Sequence, residues 1–201
     1  MQRLIYLVVF VIMLSACANQ NIRQSKENSV FLSVNVVFDL LSPKTFGRTI
    51  NLVQVAQLET PEGNFELLFY LEISNELLTV VGVLPNGTRV FSVIYDGENI
   101  KSEGYKQVVN SLKPEYLLAD LQLSLWPIEA LRSKWLNSLE CYKKGLCELF
   151  ISPNGLERHL IDNEQVIITV NYDKKLPDVG KFDFKHHQRN YAILLETIEK
   201  N

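Results

Sequence analysis

Phe65-Glu66-Leu67-Leu68-Phe69-Tyr70-Leu71-Glu72-Ile73 is the stretch that decides the fold, because every second side chain along it is apolar. Side chains of a β-strand alternate between its two faces, so a period of two indicates a half-buried strand. One face carries Glu66, Tyr70 and Glu72. The other face is predicted to lie against the core and carries Phe65, Leu67, Phe69, Leu71 and Ile73.

Similar strands flank this stretch on both sides. The pattern predicts strands over Ile50–Leu58, Leu77–Leu84, Arg89–Tyr95 and Ile100–Tyr105. Short turns separate them, and both Asn86-Gly87 and Asp96-Gly97 are typical of type I′ hairpins, in which both central residues have positive φ. Five strands joined by short turns form an antiparallel meander, and no crossover helix is present to make a parallel sheet.

Two helices are predicted after the meander. Residues Pro114–Trp126 place leucines at helical spacing behind a proline that suits a first turn, and Ile128–Leu139 repeats the pattern. Strand patterns return at 148–151, 156–161, 165–172, 182–187 and 191–198. Residues 30–41 fit either a helix or a strand, and we favour a strand. The predicted fold class is mainly β with a smaller helical part.

The N-terminus resembles the cleavage and acylation signal of bacterial lipoproteins. Leu14-Ser15-Ala16-Cys17 follows one basic residue and an apolar run that is too short to span a membrane. We expect residues 1–16 to be a signal peptide, Cys17 to carry the lipid, 17–29 to form a tether and 30–201 a single domain. Ala18 in place of aspartate favours the periplasmic face of the outer membrane, with Cys17 holding the chain to it.

Net charge and cysteine content limit the kinds of ligand and site that the chain can have. The formal net charge is −3, so nothing draws the chain to nucleic acid. Cys141 and Cys147 form a candidate disulfide in an oxidising compartment. No second cluster of cysteine and histidine suggests a metal site, and no cofactor is expected.

Catalytic motifs are not found in the sequence, so we expect no enzymatic activity. The adjacent histidines His186 and His187 would point to opposite faces of a strand, which argues against a shared ligand. We expect them at surface or strand-end positions.

The lipobox, the hairpin 77–97 and above all the segment Leu117–Pro127, with its leucines and final Trp-Pro, carry a family resemblance. The chain resembles an uncharacterised group of bacterial outer-membrane lipoproteins that is similar to the lipoprotein localisation (Lol) carriers and receptor. The resemblance implies a half-open antiparallel β-barrel covered by two or three helices, with a cavity for acyl chains. Members of the group are often encoded beside aryl-polyene or fatty-acyl synthesis genes, which implies a lipid-like ligand.

Candidate cavity residues lie on the predicted strands and helices. They are Phe69, Leu71, Leu78, Val80, Phe91, Val93, Leu121, Trp126, Leu131 and Trp135. If an acyl or polyene-type chain enters, these residues bind it, and the protein assists lipid or lipoprotein transfer or envelope assembly. If the interior is filled, the same residues are core, and the protein is a structural lipoprotein that scaffolds an envelope complex with a protein partner. An acyl-processing enzyme is the third alternative.

Overall fold

A computed structural model describes residues 28–106, 108, 113–132, 139–141 and 147–201, with the side chains of 139–141 excepted. The first elements are strands β1 (Ser29–Phe31) and β2 (Val36–Asp39) and a 3-10 helix at Pro43–Phe46. Strands β3 (Ile50–Thr60), β4 (Gly63–Ile73), β5 (Leu78–Val83), β6 (Arg89–Tyr95) and β7 (Ile100–Gly104) follow. Helix α1 is Pro114–Leu125. The remaining strands are β8 (Leu139–Cys141), β9 (Cys147–Ile151), β10 (Glu157–Asp162), β11 (Gln165–Tyr172), β12 (Lys181–His186) and β13 (Tyr191–Lys200).

Ten of these strands form one open, curved, antiparallel sheet. Their order is β7-β6-β5-β4-β3-β13-β12-β11-β10-β9, so two meanders meet where the last strand pairs with β3. The two outer strands, β7 and β9, are not paired with each other in the described part of the chain. The prediction of a mainly antiparallel β fold is confirmed.

Strand β4 shows the alternation that its sequence predicts. Leu67, Phe69, Leu71 and Ile73 are buried, whereas Tyr70 on the opposite face is exposed. Phe65 departs from the prediction because 52% of its surface is exposed. It lies near the turn between β3 and β4, where its cross-strand partner Leu58 is also only half-buried.

The predicted type I′ turns are wrong, because only their glycines have positive φ. Gly87 has φ 86° and Gly97 has φ 98°, whereas Asn86 and Asp96 do not adopt positive φ. Pro85 fixes a negative φ at the first central position, and Gly87 N donates to Leu84 O at 2.8 Å. The loop is therefore one residue longer, with glycine alone taking the left-handed conformation.

An inner layer packs against one face of the large sheet. We define it as residues 28–46 and helix α1. Residues 30–41, left open by the sequence, contain the hairpin β1–β2, which forms a separate three-stranded sheet with β8. Helix α1 confirms the predicted helix, and residues 128–132 are helical too. The second helix does not extend to Leu139, because β8 begins there.

Helix α1 is buried on all sides over most of its length. Every residue from Leu117 to Leu125 is buried, including the polar Asp120, Gln122 and Ser124. Strands β4 and β12 are three positions apart in the sheet, yet side chains of both meet this helix around one small cavity. The helix therefore lies in the concave face. None of the described helices is both long and apolar enough for a membrane span.

Candidate functional site

The predicted cavity residues of strands β4, β5 and β6 form one continuous apolar surface. Cross-strand pairing aligns Leu71 with Val80 and Val80 with Val93, and it places Phe69 and Phe91 on either side of Gly82. The rings of Phe69 and Phe91 meet edge to face with centroids 5.8 Å apart. All six residues, namely Phe69, Leu71, Leu78, Val80, Phe91 and Val93, are at most 2% exposed.

The described side chains pack closely beneath helix α1. The cavity that they leave between the helix and the sheet has a volume of about 10 Å³. It is lined by Phe69, Leu117, Asp120, Leu121, Ser124, Phe182, Phe184, Ile193 and Leu195. About one water-sized group fits into such a space, so an acyl chain can enter only if the inner layer moves.

Hydrogen bonds tie helix α1 to the C-terminal half of the sheet. Arg158 Nη1 of β10 donates to Leu123 O at 2.7 Å, and Tyr172 Oη of β11 donates to Ser124 O at 2.7 Å. Tyr191 of β13 donates its hydroxyl hydrogen to the carboxyl of Asp120. The acceptors of these bonds are two backbone carbonyls near the C-terminal end of the helix and the buried carboxyl of Asp120.

The hairpin β1–β2 is tied to the same half of the sheet. Ser33 Oγ donates to Asp162 Oδ2 of β10 at 2.6 Å, and Asn35 Nδ2 lies 3.3 Å from the same oxygen. Arg189, in the turn before β13, donates to Phe31 O. Together with the bonds of helix α1, these contacts attach the inner layer to strands β10–β13 at several separate points.

The opposite half of the sheet meets the inner layer through apolar surface. Among the described residues, no hydrogen bond joins helix α1 to β4, β5 or β6. At the strand end, Tyr95 Oη lies 3.4 Å from Leu40 O, and Asn28 Nδ2 donates to Glu98 O in the β6–β7 turn at 2.7 Å. We call this interface between the inner layer and strands β4–β6 the apolar seam.

Asp120 is the most unusual group at the site. It is 5% exposed in the middle of helix α1, and its Oδ1 has no hydrogen-bond partner among the described residues. Burial raises the pKa of this carboxyl to about 7, although the bond from Tyr191 and the charge of Arg189 act in the lowering direction. Burial and the neighbouring Asp120 likewise raise the pKa of Tyr191.

Both histidines of the adjacent pair are placed as the strand pattern predicts, on opposite faces. His187 is exposed, whereas His186, at the end of β12, is fully buried with its ring 5.5 Å from that of Tyr191. Of the two predicted positions, surface or strand end, His186 takes the strand end, with its side chain buried. Burial, together with the positive charge of Arg189, lowers the pKa of His186 to about 4.

Of the remaining predicted site residues, Leu121 lines the small cavity at the seam, and the others are core residues or lie outside the described chain. Trp126 is fully buried, and its Nε1 donates to Thr45 Oγ1 of the 3-10 helix at 2.8 Å. Leu121 and Leu131 are buried in the same core. Cys17 and Trp135 lie outside the described residues. Cys147 is disulfide-bonded, while the side chain of Cys141 is not described, so their pairing stays a prediction.

A second, wider concavity lies at the end of the sheet where β13 stops. It has a volume of about 440 Å³ and is lined by charged side chains of the β11–β12 loop and of β13. Asp178 in its wall is fully buried and pairs with Arg48 and Lys200, each at 2.8 Å. Arg48 and Lys200 already compensate the charge of the buried Asp178. We therefore interpret this concavity as the place where ion pairs close the end of the sheet.

Sequence reasoning missed Asp120, Tyr191 and Arg158, which position the helix. A weak signal was present, since Asp120 interrupts an otherwise leucine-rich segment. Tyr191 and Arg158 lie in strands far along the chain, and their contact with helix α1 follows from long-range pairing alone. In the described part of the chain, no group of three His, Cys, Asp or Glu residues could hold a metal ion.

Comparison with known proteins gives one family and several distant structural likenesses, two of which are described below. The profile of the family described as "Protein of unknown function (DUF3261)" matches residues 51–199, which run from β3 to β13. No curated protein matches the chain. A DUF1329 family protein from Desulfovibrio piger is similar at 6% identity and a TM-score of 0.38, over 76% of this chain and 85% of that chain. A proposed outer membrane lipoprotein-sorting protein domain from Vibrio parahaemolyticus is similar at 8% identity and a TM-score of 0.35, over 76% and 84%.

Proposed function

The chain belongs to the DUF3261 family, and we propose that this member binds a single acyl or polyene-type chain in the apolar seam. It would do so as a lipoprotein anchored through Cys17 on the periplasmic face of the outer membrane. There it assists lipid or lipoprotein transfer or envelope assembly by binding rather than by catalysis. The observation that carries the proposal is the asymmetry of the inner layer. Buried hydrogen bonds join it to β10–β13 at several points, whereas its contact with β4–β6 is mainly apolar, with the described polar contacts to that half confined to the strand end.

The asymmetry determines where the molecule can open at least cost. Separating the inner layer from β10–β13 breaks buried hydrogen bonds, and each unpaired buried group costs about 1–3 kcal/mol. Separating it from β4–β6 exposes mainly apolar surface, which an apolar ligand can cover again. The described contacts therefore favour opening at the seam, with helix α1 staying on the C-terminal half.

Burial of an apolar chain supplies enough free energy to replace the contacts that the inner layer loses with β4–β6. Each methylene transferred from water to an apolar interior contributes roughly 0.8 kcal/mol, so ten to twelve methylenes contribute roughly 8–10 kcal/mol before ordering costs. Val80, Val93 and Leu71, in adjacent strands, give such a chain a continuous apolar wall. No charged side chain is needed for this recognition.

The small size of the cavity supports a second candidate function. With only about 10 Å³ free beneath the helix, the closed form has a filled core like that of a purely structural domain. A lipoprotein with this core could scaffold an envelope complex without binding any lipid. The two functions differ in whether the seam opens to a chain.

Titration with a fluorescent acyl probe separates them. We expect dansyl-labelled fatty acids of increasing length to saturate the purified full chain at one probe per protein. Phe91→Leu should shift the preferred length upward by about one carbon, because it removes roughly one methylene of volume from the seam wall. Phe65→Leu makes the same chemical change at an exposed position of β4 and should leave the preference unaltered.

Absence of saturable binding would reject the carrier function and leave the scaffold. An equal shift in Phe65→Leu would show that the probe binds outside the seam.

A further inference from the structure

Asp120 lines the small cavity beneath helix α1, and one of its carboxyl oxygens has no hydrogen-bond partner in the described part of the molecule. Its Oδ2 accepts the hydrogen of Tyr191, whereas Oδ1 is buried without a partner in the described part of the molecule. Most of the lining is apolar, with Phe69, Phe182 and Phe184 among the walls. A buried acceptor that lacks a donor is costly, so a donor arriving in this cavity would be bound favourably.

Neither oxygen of this carboxyl is paired with a cation in the described part of the molecule. The guanidinium of Arg189 lies 3.5 Å from the centre of the Tyr116 ring and donates to Phe31 O. Arg158 donates to the backbone of the helix at Leu123 O instead. Ser124, the other polar residue of the lining, already donates its hydroxyl hydrogen to Asp120 O. With Asp120 ionised, the cavity therefore offers acceptors but no free side-chain donor.

We propose that Asp120 Oδ1 forms the polar end of the seam and binds the head of a single-chain ligand that carries a small neutral donor, either a hydroxyl or an amide N–H. This inference rests on the proposed function, which it extends from the chain of the ligand to its head group. A space of about 10 Å³ admits a group the size of one water molecule.

Charged head groups fit the same cavity poorly. A carboxylate brings a second acceptor to a place without a free donor and repels the ionised form of Asp120. An ammonium brings three donors and finds too few acceptors among the apolar walls, so its desolvation is not compensated. A hydroxyl or an N–H donates one hydrogen to Oδ1, and the apolar chain continues along β4–β6.

Competition against a bound dansyl acyl probe tests the head-group preference. At about pH 8, where the carboxyl of Asp120 is mostly ionised, we expect tetradecan-1-ol to displace the probe at concentrations at least about tenfold lower than tetradecanoate. Asp120→Asn should bring the two competitors within about twofold of each other. Asp183→Asn makes the same change on β12 at a position outside the cavity lining and should preserve the wild-type ratio.

Each outcome decides a separate point. Probe binding with equal competition by the alcohol and the carboxylate overturns the role of Asp120 and leaves the seam intact. No probe binding overturns the seam and the head-group site together. If Asp120→Asn does not fold, Asp120→Leu replaces the carboxyl by an apolar group of similar shape. A preference for the alcohol that survives in Asp120→Leu would also overturn the proposal.

Discussion

Asp120 and His186 are buried on either side of Tyr191, and burial moves their pKa values in opposite directions. The Asp120 carboxyl is raised to about 7, and the His186 imidazole is lowered to about 4. Tyr191 and Arg189 face Asp120, while Arg189, His187 and the carbonyl of Leu32 act on His186. One cluster thus contains an acid and a base that both resist ionisation.

The two groups should give opposing pH dependences of stability. Folded Asp120 retains its proton above the pH at which it loses it in the unfolded chain, so its contribution is complete below about pH 4 and is lost as the pH rises through 7. This loss amounts to roughly 4 kcal/mol at most. Folded His186 resists protonation, so its contribution is lost as the pH falls from 6.5 to 4, by roughly 3 kcal/mol at most.

Urea unfolding between pH 4 and 8 measures these slopes. In Asp120→Asn the free energy of unfolding should rise more steeply from pH 4 to 6.5 than in the wild type. In His186→Gln it should fall between pH 4 and 7, because the opposing group has been removed. Parallel profiles for all three proteins would show that neither residue titrates differently on folding.

Strands β5 and β6 illustrate how a single glycine shapes the wall of the seam. A Cβ on Gly82 would lie 2.2 Å from Cε1 of the Phe91 ring, which is far inside van der Waals contact. The ring therefore occupies the space that a side chain on β5 would need. Gly82 lowers the strand propensity of β5 at this position, but it allows the ring of Phe91 on β6 to pack closely against the backbone.

A double-mutant cycle tests this contact. Gly82→Ala should destabilise the protein by about 1–3 kcal/mol, because the ring must move from its position. In a Phe91→Leu background the same substitution should cost less than about 1 kcal/mol, since the clashing ring edge is absent. Equal costs in both backgrounds would place the strain elsewhere. Denaturant unfolding of the four proteins provides the comparison.

The periodicity of apolar residues predicted most strands and helix α1, because the buried face of each of these elements is visible in its own sequence. It left residues 30–41 open between helix and strand; the favoured strand is confirmed there, but the pairing of the hairpin β1–β2 with the distant strand β8 was not predicted. The prediction failed for the loop at Pro85, where proline selects another turn type. The burial of Asp120 and His186 was not predictable, because it depends on which strands come together across the sheet.

The whole molecule consists of two meanders that pack against the same inner layer through different kinds of contact. Polar contacts such as Ser33–Asp162 and Tyr172–Ser124 hold the layer to strands β10–β13. Apolar packing holds it to β4–β6. The proposed opening would separate the inner layer from β4–β6 and expose an apolar surface, while the contacts with β10–β13 remain in place.

Pulsed electron paramagnetic resonance measures that movement directly. One nitroxide label is placed at Glu115, in the first turn of helix α1, and the second at either Ile94 on β6 or Leu194 on β13, both on the outer face of the sheet. On saturation with tetradecan-1-ol, we predict that the Glu115–Ile94 distance lengthens while the Glu115–Leu194 distance stays the same. A bound ligand that leaves both distances unchanged, or that lengthens only the Glu115–Leu194 distance, would contradict opening at the apolar seam.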